Sequence, residues 1–285
     1  MINWNELLKK YRSWRRSLLY PAISLVVAVS LCLTTAVPTQ AIELLPFLLR
    51  GVQVYQLQNL SPRQEYELGT QINDQVRQEV RISRNQQLTG YIQSIGNRLV
   101  ENSGDRRNVR YTFQVVEDNA VNAFATTGGY VYVHTGLIEA ADNEAELASV
   151  MGHEIGHIQG RHLVKQMRQQ AIASGVATLA GLDRNRAVGL GVELALRRPR
   201  SRQDEYDADN RGLEILTRAG YAPSAMVSFM QKLQGRSSIP TFLSTHPGAG
   251  DRVRSLAGKI QQQPSTNRDG LDNAAYKARV RSMWY

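Results

Sequence analysis

The sequence predicts an α+β fold, mainly helical, in which a small β-sheet or hairpin lies beside one chemically unusual helix. Three observations carry this. Apolar residues recur at helical spacing over much of the chain after Ser61, extended alternation is confined to residues 110–133, and from Asn143 the pattern is helical to the end. With 285 residues and 42% hydrophobic content, the chain can bury a sizeable core.

Residues 1–41 stand apart from the rest. Lys9, Lys10, Arg12, Arg15 and Arg16 precede an uncharged run over 17–42, and Thr39-Gln40-Ala41 offers the small residues that a signal peptidase reads. This reads as a secretory signal peptide cleaved after Ala41. The alternative is a retained anchor through residues 17–37, a run long enough to span a bilayer. Five Lys/Arg and one acid lie in this segment, so the net charge falls from +9 to about +5 beyond it. No basic motif with interleaved aromatics follows, which argues against nucleic acid as a partner. The one cysteine, Cys32, also leaves with the segment, and a mature chain without thiols suits an oxidising periplasmic or other extracytoplasmic space.

Residues 42–60 form a lead-in that is apolar without a clean period, able to pack on the domain or touch a membrane. The main domain is expected over 61–260. Its first helix starts with Ser61 as N-cap, Pro62 at the first helical position and Gln64 reaching back, and runs to about Val80. A second covers 86–101, with Leu88, Ile92, Ile95 and Leu99 on one face. Residues 110–116 alternate as a strand, and 120–133 place Thr126-Thr127-Gly128-Gly129 between two short extended runs, as a hairpin would. Asn143 and Glu146 make a capping box for the next helix. Residues 163–202 form two helices that flank or cover a cleft, Pro223 opens a later helix, and Pro247-Gly248 breaks the chain before another. Residues 261–285 are a linker and a final helix from 271 to 283.

The helix after Asn143 carries the chemistry. His153-Glu154-Ile155-Gly156-His157 fits H-E-x-x-H, and residues four apart lie about 40° apart around a helix, so both imidazoles can address one ion. Glu154 sits beside them as a general base for water at the metal. Five histidines and fourteen glutamates give only about 0.004 chance matches in 285 residues, so the motif is specific. A catalytic zinc site needs a third protein ligand and an open position. His162 is nine residues after His153, on the opposite side of a continuous helix, and reads as a surface or second-layer residue. His134, at a strand end, reads as structural. Downstream, Glu205 and Asp209 share a helix face, so Glu205 can bind the ion while Asp209 holds a ligand imidazole by its other nitrogen. Asp204 and Asp207 are expected to face solvent.

Gly152, Gly156 and Gly160 recur every four residues, costing about 1 kcal/mol each against alanine. They make a flat strip that another helix, or the sheet, can approach. His246, in a Pro/Gly loop, has three readings: hydrogen-bond donor to a developing oxyanion, occupant of the fourth zinc position that holds the enzyme latent, or stabiliser of its loop.

H-E-I-G-H followed by E-Y-D-A-D, preceded by NAFATTGGYVYVHTGLI and succeeded by STHPGAGDRV, resembles the zinc metallopeptidase family that includes the BepA, HtpX and CAAX prenyl protease types. The resemblance spans roughly residues 61–256 in the family's motif order. It implies a zincin-like metallopeptidase domain of the gluzincin type, with one Zn2+ per subunit held by His153, His157 and Glu205 and with Glu154 as general base. It also implies that Asn122, Ala123, Phe124 and Ala125 form an edge against which substrate lies, and that His246 and Arg252 face the site. Segments 171–181 and 187–196 are too short to span a bilayer, unlike those of membrane-embedded members.

The expected function is an exported zinc metalloendopeptidase that cleaves unfolded or misfolded envelope polypeptides bound by strand addition. A largely latent protease acting as a chaperone or assembly factor is the alternative. Contact with a membrane or a membrane protein is a further expected partnership.

Overall fold

The computed structural model describes residues 60–105, 109–173 and 184–284. The expected signal or anchor and nearly all of the lead-in lie outside the described residues. Helix α1 (Pro62–Glu79) begins as expected, with the Gln64 amide donating to the Ser61 hydroxyl and the Ser61 amide donating to Gln64 Oε1 at 2.9 Å. Helix α2 (Gln86–Glu101) turns Leu88, Ile92, Ile95 and Leu99 into the core.

Strands β1 (Thr112–Val116), β2 (Ala123–Ala125) and β3 (Tyr130–His134) form one sheet in the order β1-β3-β2. β2 and β3 are the expected hairpin, antiparallel with Phe124 opposite Tyr132, while β1 lies parallel to β3. The hairpin turn depends on Gly128 and Gly129 at φ 79° and 96°, conformations that favour glycine. Helix α1 approaches that turn so closely that a Cβ at Gly69 would lie 2.2 Å from the Thr127 carbonyl oxygen.

Successive side chains of a strand face opposite ways, and here both faces are buried. Val115, Ala123, Ala125, Val131 and Val133 join the main core, with α2 and the later helices. Phe124, Tyr130 and Tyr132 join a second cluster with Ile72, Val76, Leu163, Met167 and Val192.

A short helix α3 (Thr135–Ala140), not expected from sequence, leads to α4 (Glu144–Gln159), which is buried on every side from Ala145 to Ile158. Asn143 caps α4 as expected, accepting from the Glu146 amide at 3.0 Å. The reciprocal half of the box is different. The Glu146 carboxylate accepts from the Asp142 amide at 2.8 Å and pairs with Lys232.

The chain then breaks at Gly160 and Arg161, with Arg161 at φ 53°, and α5 (His162–Ala173) sets off in a new direction. Helix α6 (Arg184–Arg197) follows, and then α7 (Arg202–Arg218), capped by Ser201. The remaining helices are α8 (Ser224–Gln234), the short unexpected α9 (Thr241–Thr245), α10 (Ala249–Gln262) and α11 (Asn273–Trp284). Helix α11 is no detached tail: Tyr276, Val280 and Met283 sit in the main core, and the Tyr276 hydroxyl donates to the Ile138 carbonyl at 2.7 Å. No helix among the described residues is long and apolar enough to cross a membrane.

Candidate metal centre

Two helices make the site, and glycines let them meet. A Cβ on Gly152 would lie 3.3 Å from the Gly212 carbonyl oxygen, and one on Gly156 would lie 2.7 Å from that of Ala208. From the other side, a Cβ on Gly212 would come within 2.9 Å of the His153 nitrogen. The neighbour of the glycine strip is therefore α7, in near backbone contact with α4. Gly160 does not share this contact; its space is filled by the His162 ring.

That approach brings the acidic helix to the histidine motif. His153 Nε2 and His157 Nε2 are 3.0 Å apart, with Glu205 Oε1 3.3 Å from His157 Nε2 and Glu205 Oε2 3.5 Å from His153 Nε2. His246 Nδ1 completes the group at 3.2 Å from His153 Nε2 and 3.1 Å from Glu205 Oε1. Four donor atoms, from His153, His157, Glu205 and His246, thus lie within 4.8 Å of one another, all buried.

This donor set fits zinc, which takes imidazole nitrogens and a carboxylate oxygen in four-coordinate sites. Glu154 supports the fit. Both of its carboxylate oxygens are buried without a hydrogen-bond donor from the described residues, an arrangement costly in a dry protein interior.

The electrostatics follow from this crowding. Burial pushes the His153 imidazolium down, but hydrogen bonds to Asp209 and Glu205 outweigh it and raise the pKa to about 9. Burial, with His153 and His246 nearby, holds His157 well below the ordinary imidazole value despite Glu205. Burial works to raise the Glu205 carboxyl, yet the three surrounding histidines hold it well below the usual carboxylate range. In the polypeptide alone these shifts favour the charged forms of His153 and Glu205, facing each other across the group.

The outer contacts explain the orientation of these groups. Asp209 Oδ1 lies 3.0 Å from His153 Nδ1, the relation expected from its spacing to Glu205. Arg252, expected to face the site, has a buried guanidinium held by the site's own carboxylates. Its Nε and Nη2 donate to Asp209 at 2.7 and 2.6 Å, and its Nη1 lies 2.6 Å from Glu205 Oε2 and donates to the His246 carbonyl. A guanidinium so engaged spends most of its donors inside the site.

Asp204, expected at the surface, is buried with its carboxylate accepting from the Ser201 hydroxyl at 2.7 Å and from Lys165. Asp207 is part-exposed as expected, but it also pairs with Arg211 and His162. His134 ends β3 and is buried, its ring edge-on to Phe124.

β2 is one of the sheet's two edge strands. The His134 amide donates to the Asn122 carbonyl and the Thr126 amide to that of Tyr130, so by antiparallel alternation the main-chain groups of Ala123 and Ala125 face away from β3. Arg200, missed by sequence reasoning, covers this edge. Its Nη2 donates to the Ala125 carbonyl at 3.2 Å, and its backbone nitrogen donates to Thr245 in the segment that carries His246. The same segment reaches the start of the strand, where the Phe242 amide donates to the Val121 carbonyl. In sequence, Arg200 is one of several arginines in a basic run, with nothing to mark it.

The chain is similar to several known metallopeptidases. The profile described as Peptidase family M48 matches residues 86–260. The beta-barrel assembly-enhancing protease of Yersinia pestis is 32% identical over 247 residues, covering 79% of this chain and 50% of the relative. The metalloprotease LoiP of Escherichia coli is 27% identical over 251 residues, 83% of this chain and 96% of the relative. The mitochondrial metalloendopeptidase OMA1 of Arabidopsis thaliana is 36% identical over 146 residues, covering 50% and 30%. The chain spans about half the length of the beta-barrel assembly-enhancing proteases it matches.

Proposed function

The chain belongs to peptidase family M48 and is a metalloprotease with zinc as its cofactor, and on that premise we propose that it is an endopeptidase whose zinc ligands are His153, His157 and Glu205, with Glu154 as the general base. One observation carries the assignment. Two imidazoles one turn apart and a carboxylate from a distant helix converge within 3.5 Å contacts, beside a carboxylate that accepts no hydrogen bond among the described residues and has His246 Nε2 3.5 Å away.

When bound, zinc supplies Lewis acidity, making water more acidic and polarising the scissile carbonyl. Glu154 takes the proton of the attacking water and returns it to the leaving nitrogen. Asp209 holds His153 by its Nδ1 side, and Arg252 holds Asp209 and Glu205 in register. Asn122, Ala123, Phe124 and Ala125 receive the substrate as an added strand. Support comes from the edge position of β2, from the outward main-chain groups of Ala123 and Ala125, and from Asn122 Oδ1, a buried acceptor without a partner among the described residues. Selection by backbone favours unfolded chains. The relatives named for β-barrel assembly, together with the export signal read in residues 1–41, support action on misfolded envelope proteins outside the cytoplasm.

Replacing Glu154 by Gln should leave zinc content intact and lower turnover of an unfolded protein by about 10²–10⁴-fold. Parent-rate cleavage at full zinc content would overturn the assignment.

A second reading, a largely latent protease with a chaperone or assembly role, is favoured by the place of His246. As a fourth donor it leaves no open coordination position, and a catalytic zinc needs one. A higher cleavage rate in His246→Ala supports latency, and a lower rate supports a direct part in the reaction.

A further inference from the structure

The two imidazoles of the motif are backed differently. His153 has a carboxylate at its Nδ1, whereas His157 Nδ1 lies 2.8 Å from Nδ1 of another histidine, His162. The opposite nitrogen of that ring, Nε2, is 3.1 Å from Asp207 Oδ2. Asp207 also accepts from Arg211 Nε at 2.7 Å.

The hydrogen-bond chemistry of this chain runs one way. An ionised carboxylate only accepts, so His162 Nε2 carries the hydrogen. A neutral imidazole has one such hydrogen, so His162 Nδ1 is bare and accepts. His157 Nδ1 is then the donor, and His157 Nε2 is left as a lone pair directed at His153 and Glu205. We propose that His162, with Asp207 behind it, is a positioning residue that holds His157 in its Nδ1–H form and so keeps His157 Nε2 available to the metal. The inference rests on His157 being a ligand, as assigned above.

The backbone is built to bring this ring into place. On a continuous helix, five residues turn through about 500°, placing His162 some 140° around the axis from His157. The break at Gly160 and Arg161 removes that separation. A Cβ at residue 160 would lie 2.2 Å from His162 Nε2, so only glycine leaves room for the ring. Arg161 adopts the left-handed conformation, unusual outside glycine, and its guanidinium is held by Glu65 at 2.9 Å and by the Leu60 carbonyl at 3.2 Å. The third glycine of the motif helix thus serves His162 rather than helix packing.

The test is zinc affinity, measured by competition with a chromophoric chelator on metal-stripped full-length protein. His162→Phe keeps a ring of similar size and loses the acceptor; it should bind zinc roughly 10–100-fold more weakly, the usual effect of removing such a support. His162→Asn places its Oδ1 near the lost Nδ1 and should recover most of the affinity, a rescue that simple cavity filling does not predict. The visible absorption of the Co2+-substituted protein should shift in the Phe variant and return toward the parent in the Asn variant. Asp207→Ala, at a part-exposed position, should weaken zinc binding in the same direction and covers the case in which the Phe variant does not fold. Parent-like affinity in both His162→Phe and Asp207→Ala, or equal losses in the Phe and Asn variants, would overturn the proposal. His153→Ala separates the two readings: if it too binds zinc like the parent, the ligand assignment itself fails.

Discussion

Replacing Gly156 by alanine should destabilise the protein and weaken zinc binding, although alanine is the better helix former. In an open helix, Gly to Ala stabilises by about 1 kcal/mol. At Gly156 the added Cβ would lie 2.7 Å from the Ala208 carbonyl oxygen and 3.1 Å from its Cα, both backbone atoms that cannot rotate away. Relief to an ordinary contact requires α4 and α7 to separate by about 0.7 Å locally. Overpacking of this kind costs about 1–3 kcal/mol, so the net loss is about 0–2 kcal/mol.

Gly90 is the control, since it lies inside α2 and a Cβ there meets nothing within 4 Å. Gly90→Ala should gain up to about 1 kcal/mol, leaving the two variants about 1–3 kcal/mol apart. For a chain of this size that is several degrees of melting temperature. Glu205 and Asp209 flank Ala208 on α7, so the same separation carries them from the imidazoles by more than the roughly 0.2 Å that zinc distances tolerate. Thermal melts of both variants, with chelator-competition titration, measure the effect. A Gly156→Ala protein as stable as Gly90→Ala, with parent zinc affinity, would refute the close-packing account.

Other consequences can be checked separately. Arg252→Met leaves Asp209 and Glu205 buried without their cation, and urea melts of the metal-free protein should show a loss of about 3–5 kcal/mol. Burial outweighs Asp118 and lowers the His134 pKa, so its stabilising neutral form prevails above about pH 6.5 and is lost as pH falls through the folded value. The stability of His134→Phe relative to the parent should therefore rise as pH is lowered below 6.5, and a constant difference would contradict this. Arg200→Ala frees the Ala125 carbonyl on the substrate edge and should raise cleavage of an extended peptide at unchanged zinc content. A lower rate would instead give Arg200 a part in holding substrate.

The sequence by itself determined what depends on neighbours three or four residues apart. The Ser61 cap, the apolar face of α2, the pairing of His153 with His157 and that of Glu205 with Asp209 are all set by helix geometry. The alternation in 120–133 with its two glycines marked the hairpin for the same reason. Tertiary structure alone decided which distant groups meet. That Gly152 faces Gly212, that Arg252 holds Asp209 and Glu205, and that Arg200 covers Ala125 depend on how helices far apart in the chain pack, and packing leaves no periodic trace. His162 and Asp204 show the limit most directly. Treating the chain as regular helix placed one ring opposite the site and one carboxylate in solvent, whereas a single left-handed residue at Arg161 and side-chain contacts between α5 and α7 accompany the burial of both. Local rules give direction along an element; the breaks between elements, set by contacts from elsewhere, determine where that direction leads.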